Sequence, residues 1–119
     1  MRSRWSSILF AAICAAIIGC LSPTLPLPPP GAPAQTDGPQ PGTVHLHGTG
    51  AEANALVLMR NNSPSTSESL SPQQQITGTL ANAQGVWDAD AYAVKGDVLE
   101  IWQELGPDDA SPTIDYQVN

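Results

Sequence analysis

The chain has 119 residues with 11 acidic and four basic side chains, a net charge of −7, twelve prolines and two cysteines. That length supports at most one modest domain, and so acidic a balance argues against nucleic acid, whose binding rests on neutralising phosphates with Lys and Arg. Both cysteines fall within the first 20 residues, which leaves no thiol pair downstream for a disulfide or a thiolate metal site.

Arg2 and Arg4 form a short basic start, and residues 8–18 are an unbroken apolar run of signal-peptide length, too short to span a bilayer comfortably. Ile17-Ile18-Gly19-Cys20 closes this segment with an aliphatic pair, a small residue and a cysteine. The arrangement resembles the lipobox of bacterial lipoproteins. The resemblance implies cleavage after residue 19, a diacylglycerol thioether on Cys20 and acylation of the new amino terminus, with the lipid bilayer as the first partner. Several acyl chains on one residue exceed the two-signal threshold for stable attachment. Leu21 in place of aspartate implies, by the sorting rule of that family, the outer membrane of the cell envelope where a cell has one. An ordinary signal peptide with an incidental Cys20 is the alternative. Beyond residue 19 only Arg60 and Lys95 face the 11 acids, a composition that keeps a surface protein soluble.

Residues 20–41 then form a proline-rich linker. Leu21 to Pro41 carries eight of the twelve prolines, Pro28-Pro29-Pro30 among them, with little apolar bulk. Proline favours extended polyproline II, so the segment reads as a semi-rigid spacer of about 3.1 Å per residue, about 60 Å at full stretch. The PxxP spacing of Pro26 and Pro29 has no flanking base to orient a partner.

From Gly42 to Asn119 the pattern is all-β. Thr43 to His47 alternates with period two, placing Val44 and Leu46 on a core face and His45 and His47 on the other. Ala55 to Met59 is a continuous apolar run that reads as a strand buried on both sides or lying in the core, ended by Arg60. Residues 61–75 are rich in Ser, Asn, Pro and Gln and read as a long exposed loop; Gln75 to Leu80 reads as a short edge strand. Val86 to Tyr92 puts Trp87, Ala89 and Ala91 inward and Asp88, Asp90 and Tyr92 outward. Lys95-Gly96-Asp97 is a turn, and Val98 to Leu105 is the longest strand, with Leu99, Ile101 and Leu105 inward and Glu100, Trp102 and Glu104 outward. Thr113 to Val118 closes the sheet with Ile114, Tyr116 and Val118 inward. Six or seven short strands without a helical period favour a β-sandwich.

Gly48-x-Gly50-Ala51-Glu52-Ala53-Asn54-Ala55-x-Val57, Gly85-x-Trp87, Gly96-Asp97-x-Leu99-x-Ile101 and Ser111-Pro112-Thr113 resemble the punctuation of bacterial immunoglobulin-like domains of surface and adhesion proteins. The likeness covers nearly all of 42–119 and implies an immunoglobulin-like β-sandwich with the Trp87 ring in its core. This chain departs from that family in carrying one domain rather than tandem copies, and in its longer, more polar 61–75 loop. A transthyretin-like or carboxypeptidase-regulatory-like sandwich is a close architectural rival.

Candidate chemistry is sparse. His45 and His47 can project from one strand face at a chelating spacing, but no third ligand is nominated, so no metal and no cofactor are expected. Asp88, Asp90 and the Asp108-Asp109 pair lack the spacing of a calcium loop and read as a solvated face or rim. Trp102, read as outward, is the candidate binding residue, a platform for a glycan or a partner protein. With no base poised against a nucleophile and no G-x-S-x-G elbow, catalysis is not expected. The reading is therefore a membrane-anchored envelope lipoprotein displaying a small binding or adhesion module for an unidentified envelope protein or glycan. The alternative is a structural accessory of an envelope complex with no ligand of its own.

Overall fold

The computed structural model describes residues 26–63 and 69–119. Among them are seven strands: β1 (Ala34–Asp37), β2 (Thr43–Gly48), β3 (Leu56–Asn61), β4 (Ile76–Leu80), β5 (Trp87–Tyr92), β6 (Val98–Glu104) and β7 (Ile114–Gln117), with one helical turn, α1 (Pro72–Gln75), leading into β4. One antiparallel sheet runs β1-β2-β5 and the other β4-β3-β6-β7. The arrangement is consistent with a β-sandwich. No helix among the described residues is long and apolar enough to cross a membrane.

The period-two pattern explains why the sheets face each other. Val44 and Leu46 from β2, Val57 and Met59 from β3, and Leu99 and Ile101 from β6 turn their buried side chains into one shared cluster. Trp87 is 1% exposed at its centre. Its cross-strand partner is Gly48, where a Cβ would overlap the indole ring, so the strand gives up a side chain to admit the largest one in the core. Ala89 and Ala91 continue the inward face of β5 with small groups, leaving room for the ring. A second glycine is demanded at position 85, where φ is +76° and a Cβ would strike the Ala51 carbonyl.

Buried amides and one carboxylate tie the layers together. Asn61 ends β3 inside the core, donating to the Tyr92 carbonyl and to Asp97 Oδ2, each at 3.0 Å. Asp97 also accepts from the Val94 N–H at 3.0 Å, so it organises the β5–β6 turn. Gln103, 0% exposed, accepts from the Glu52 N–H at 2.8 Å and donates to the Pro28 carbonyl at 2.6 Å. Burying such groups is tolerable only because each is bonded.

The structure corrects several expectations. From residue 26 on, the proline-rich segment packs on the domain: residues 34–37 form β1, Leu27, Pro30 and Pro33 are buried, and Gln103 holds Pro28. The segment lies against the sandwich, where a main-chain carbonyl meets an inward amide. Leu105 is not inward but 43% exposed, because β6 ends at Glu104 and the inward place on the same face is taken by Gln103. Of the two readings of the apolar run 55–59, the core strand holds, with Val57 and Met59 buried in the cluster, and burial on both sides does not; Leu56 and Leu58 are half-buried, and the strand continues through Arg60 to Asn61. The 61–75 stretch contains α1, opened by a capping box between Ser71 and Gln74. The edge strand at 76–80, the inward Trp87 and the outward Asp88 and Trp102 are found where they were expected.

The central ring makes a direct prediction. Trp87→Ala costs about 3–5 kcal/mol through lost burial and the cavity left behind, and Gly48→Ala costs about 1–3 kcal/mol by overpacking against the same ring. Denaturant melts followed by tryptophan fluorescence check both, and parent-like midpoints would disprove the ring's central place.

Candidate functional site

Outward-facing residues of β3 and β6 build a groove around Trp102. In the β3–β6 ladder Leu58 lies opposite Trp102 and Arg60 opposite Glu100, so antiparallel register brings an indole, a guanidinium and a carboxylate to one patch. The Arg60 guanidinium carbon stands 5.6 Å from the Trp102 ring centroid, within cation–π range. On its other edge the indole N–H donates to Glu104 Oε1 at 3.1 Å, which fixes the ring's orientation.

The far wall is the β6–β7 connection. Ser111 holds it: its N–H donates to the Gln103 carbonyl at 2.8 Å, and its Oγ accepts from the Gln103 N–H at 3.0 Å and donates to the Pro112 carbonyl at 2.8 Å. The result is an open groove of about 240 Å³ lined by Arg60, Glu100, Trp102, Ala110, Ser111 and Thr113. An indole with a guanidinium over its ring, beside a carboxylate and the Thr113 hydroxyl, offers apolar surface and hydrogen-bonding groups to a ligand.

Sequence reasoning singled out Trp102 alone. Arg60 read as a strand terminator, Ser111 as loop and Thr113 as the start of the last strand; only the β3–β6 register and the return of the connection bring them together. Cys20 lies outside the described residues.

The opposite sheet carries a second polar constellation. The β2–β5 register sets His45 against Asp90 and His47 against Asp88. His45 Nδ1 lies 2.7 Å from Asp90 Oδ1 and its Nε2 3.0 Å from Asp88 Oδ1, while His47 Nδ1 lies 2.9 Å from that same Asp88 oxygen. The histidine pair and the aspartate pair, read separately from the sequence, thus form one ladder. Among the described residues no group of three or more His, Cys, Asp or Glu has the arrangement to hold a metal ion.

With a carboxylate at each ring nitrogen, only the imidazolium form of His45 donates both bonds. The hydrogen bond to Asp90, then that to Asp88, holds the His45 imidazole above its ordinary value of 6.5. The bond from His47, then that from His45, holds the Asp88 carboxyl below its ordinary 3.8. These groups are solvent-facing, so screening keeps the effect small.

The signs fix the pH dependence. The raised imidazole contributes stability that is complete below about 6.5 and lost as pH rises through its folded value. The lowered carboxyl contributes stability present above about 3.8 and lost as pH falls through its folded value. The ladder is therefore strongest between these limits. The denaturation midpoint should decline modestly from about pH 6 to about pH 8, and His45→Gln should flatten that decline; an unchanged slope in the variant would remove His45 as its cause.

Compared with known proteins, the chain matches no family model, no curated protein and no solved structure.

Proposed function

We propose that this chain is a lipid-anchored envelope protein displaying an immunoglobulin-like module that binds a glycan in the Trp102 groove. The observation that carries the binding role is the Arg60–Trp102 stack, which is bordered by Glu100, Ser111 and Thr113. An indole with polar groups at its rim suits a sugar ring, whose C–H face stacks while its hydroxyls find donors and acceptors.

Strand order supports the immunoglobulin-like part of the reading. Lettered A to G along the chain, the sheets are A-B-E and D-C-F-G. This differs from the constant-type arrangement of A-B-E-D over C-F-G only in the fourth strand, which has moved to the edge of the second sheet. The Ile17-Ile18-Gly19-Cys20 motif supports the anchor.

Two measurements test the two halves separately. Cys20→Ser should abolish incorporation of labelled fatty acid and leave an unprocessed precursor, whereas continued labelling would remove the anchor. On an array of envelope glycans the parent chain should retain at least one class, and Trp102→Ala should weaken that binding by about tenfold or more. Binding that survives the alanine variant, or no retention at all, would overturn the groove as a glycan site.

A further inference from the structure

Among the described residues the sheets have four edge strands, and one of them carries neither a charge nor a proline. Natural edges are blunted by charges, prolines or neighbouring side chains that discourage pairing with another chain. β1 carries Asp37 and follows Pro33; β5 carries Asp88 and Asp90; β7 carries Asp115 and follows Pro112. Side chains also link the edges in pairs across the two sheets. Gln35 Oε1 accepts from the Tyr116 hydroxyl at 2.9 Å and from the Asn119 N–H at 3.0 Å, closing β1 onto β7. Thr79 Oγ1 donates to the Asp88 carbonyl at 2.9 Å, capping β5 from β4.

β4 itself, Ile76-Thr77-Gly78-Thr79-Leu80, has no charge and no proline. Its apolar residues are exposed, Ile76 by 41% and Leu80 by 70%. They stand beside half-exposed Leu56 and Leu58 of β3 on the outer face of the sheet. The whole stretch from Ser69 to Trp87 contains no Asp, Glu, Lys or Arg, in a chain whose net charge would otherwise repel a second copy.

The backbone of β4 faces outward in a defined register. Ala81 donates to the Ala55 carbonyl at 2.9 Å, and the β3–β4 ladder continues from that pair through Val57↔Thr79 and Met59↔Thr77. Hydrogen-bonding direction alternates along an antiparallel strand, so Ile76, Gly78 and Leu80 direct their N–H and C=O groups to the open edge.

The strand is also nearly palindromic. Laid antiparallel on itself with Gly78 at the two-fold axis, it opposes Ile76 to Leu80 and Thr77 to Thr79. Apolar pairs fall on the outer face and threonine pairs on the inner face. The residues that meet as hydrogen-bonded pairs are the three whose backbone groups are free to do so. From this agreement of edge, charge, face and register we propose that β4 is a homodimerisation strand. It pairs with β4 of a second copy about a two-fold axis at Gly78 and joins two four-stranded sheets into one.

The test uses the full chain, with Cys14→Ser and Cys20→Ser to remove the native thiols, purified in mild detergent. Gly78→Cys places the new thiols across the two-fold axis, where hydrogen-bonded partners lie about 5.5 Å apart between Cα atoms, a distance a disulfide spans. Under mild oxidation it should give a covalent dimer, whereas Asp115→Cys on the β7 edge should stay monomeric. Adding Ile76→Lys with Leu80→Lys to the Gly78→Cys chain sets lysine against lysine and should abolish the crosslink. Mixing that chain with a Gly78→Cys chain carrying Ile76→Glu and Leu80→Glu should restore it as a heterodimer. Circular dichroism matching the parent's shows that each variant is folded. A folded Gly78→Cys chain that stays monomeric, equal crosslinking at 115, or a dimer indifferent to the lysines would each overturn the proposal.

Discussion

The interior of this protein is organised around where one indole can go. Trp87 is the largest fully buried side chain, and β2 makes room for it by having no side chain at Gly48 and β5 by following it with alanines. Close packing leaves no slack for a second ring of that size, and among the described residues the other aromatics lie at the rim or on the outer face. Tyr116 sits at the seam between β1 and β7, and Trp102 stands on the outer face of β6. The groove forms on that outer face because alternation along β6 turns Ile101 and Gln103 inward and Trp102 out.

Polar groups divide the labour differently at the two seams. Along β1 and β7 the closure is made by an amide reaching main chain and hydroxyl, whereas along β4 and β5 a single threonine hydroxyl reaches one carbonyl. Inside, the Asn61–Asp97 pair ties the end of β3 to the turn before β6. A small domain without disulfides gains definition from such bonds because its apolar core is modest.

Period-two alternation made β2, β5 and most of β6 legible in the sequence, with Val44, Leu46, Trp87, Leu99 and Ile101 assigned to the correct face. It failed where a polar residue occupies a core position. Gln103 was passed over in favour of Leu105 because hydropathy cannot report that an amide will meet a carbonyl 75 residues away. β1 was hidden for a related reason: Ala-Gln-Thr-Asp has no apolar alternation, and its pairing depends on a partner strand. Of the groove, only Trp102 was visible, since Arg60 and Ser111 acquire their roles through strand register and loop return. The His–Asp ladder was half legible, its two pairs recognised but not their juxtaposition.

The clasp between Gln103 and Pro28 has a mechanical meaning. Gln103 neighbours Trp102 on β6, a strand flanked on both sides by β3 and β7. That amide therefore ties the segment leading into β1 of one sheet to a central strand of the other, one residue from Trp102. The inward amide that fills a core position thus also fastens the chain ahead of β1 and the Glu52 turn, so loss of that one side chain would loosen two separate parts of the domain at once.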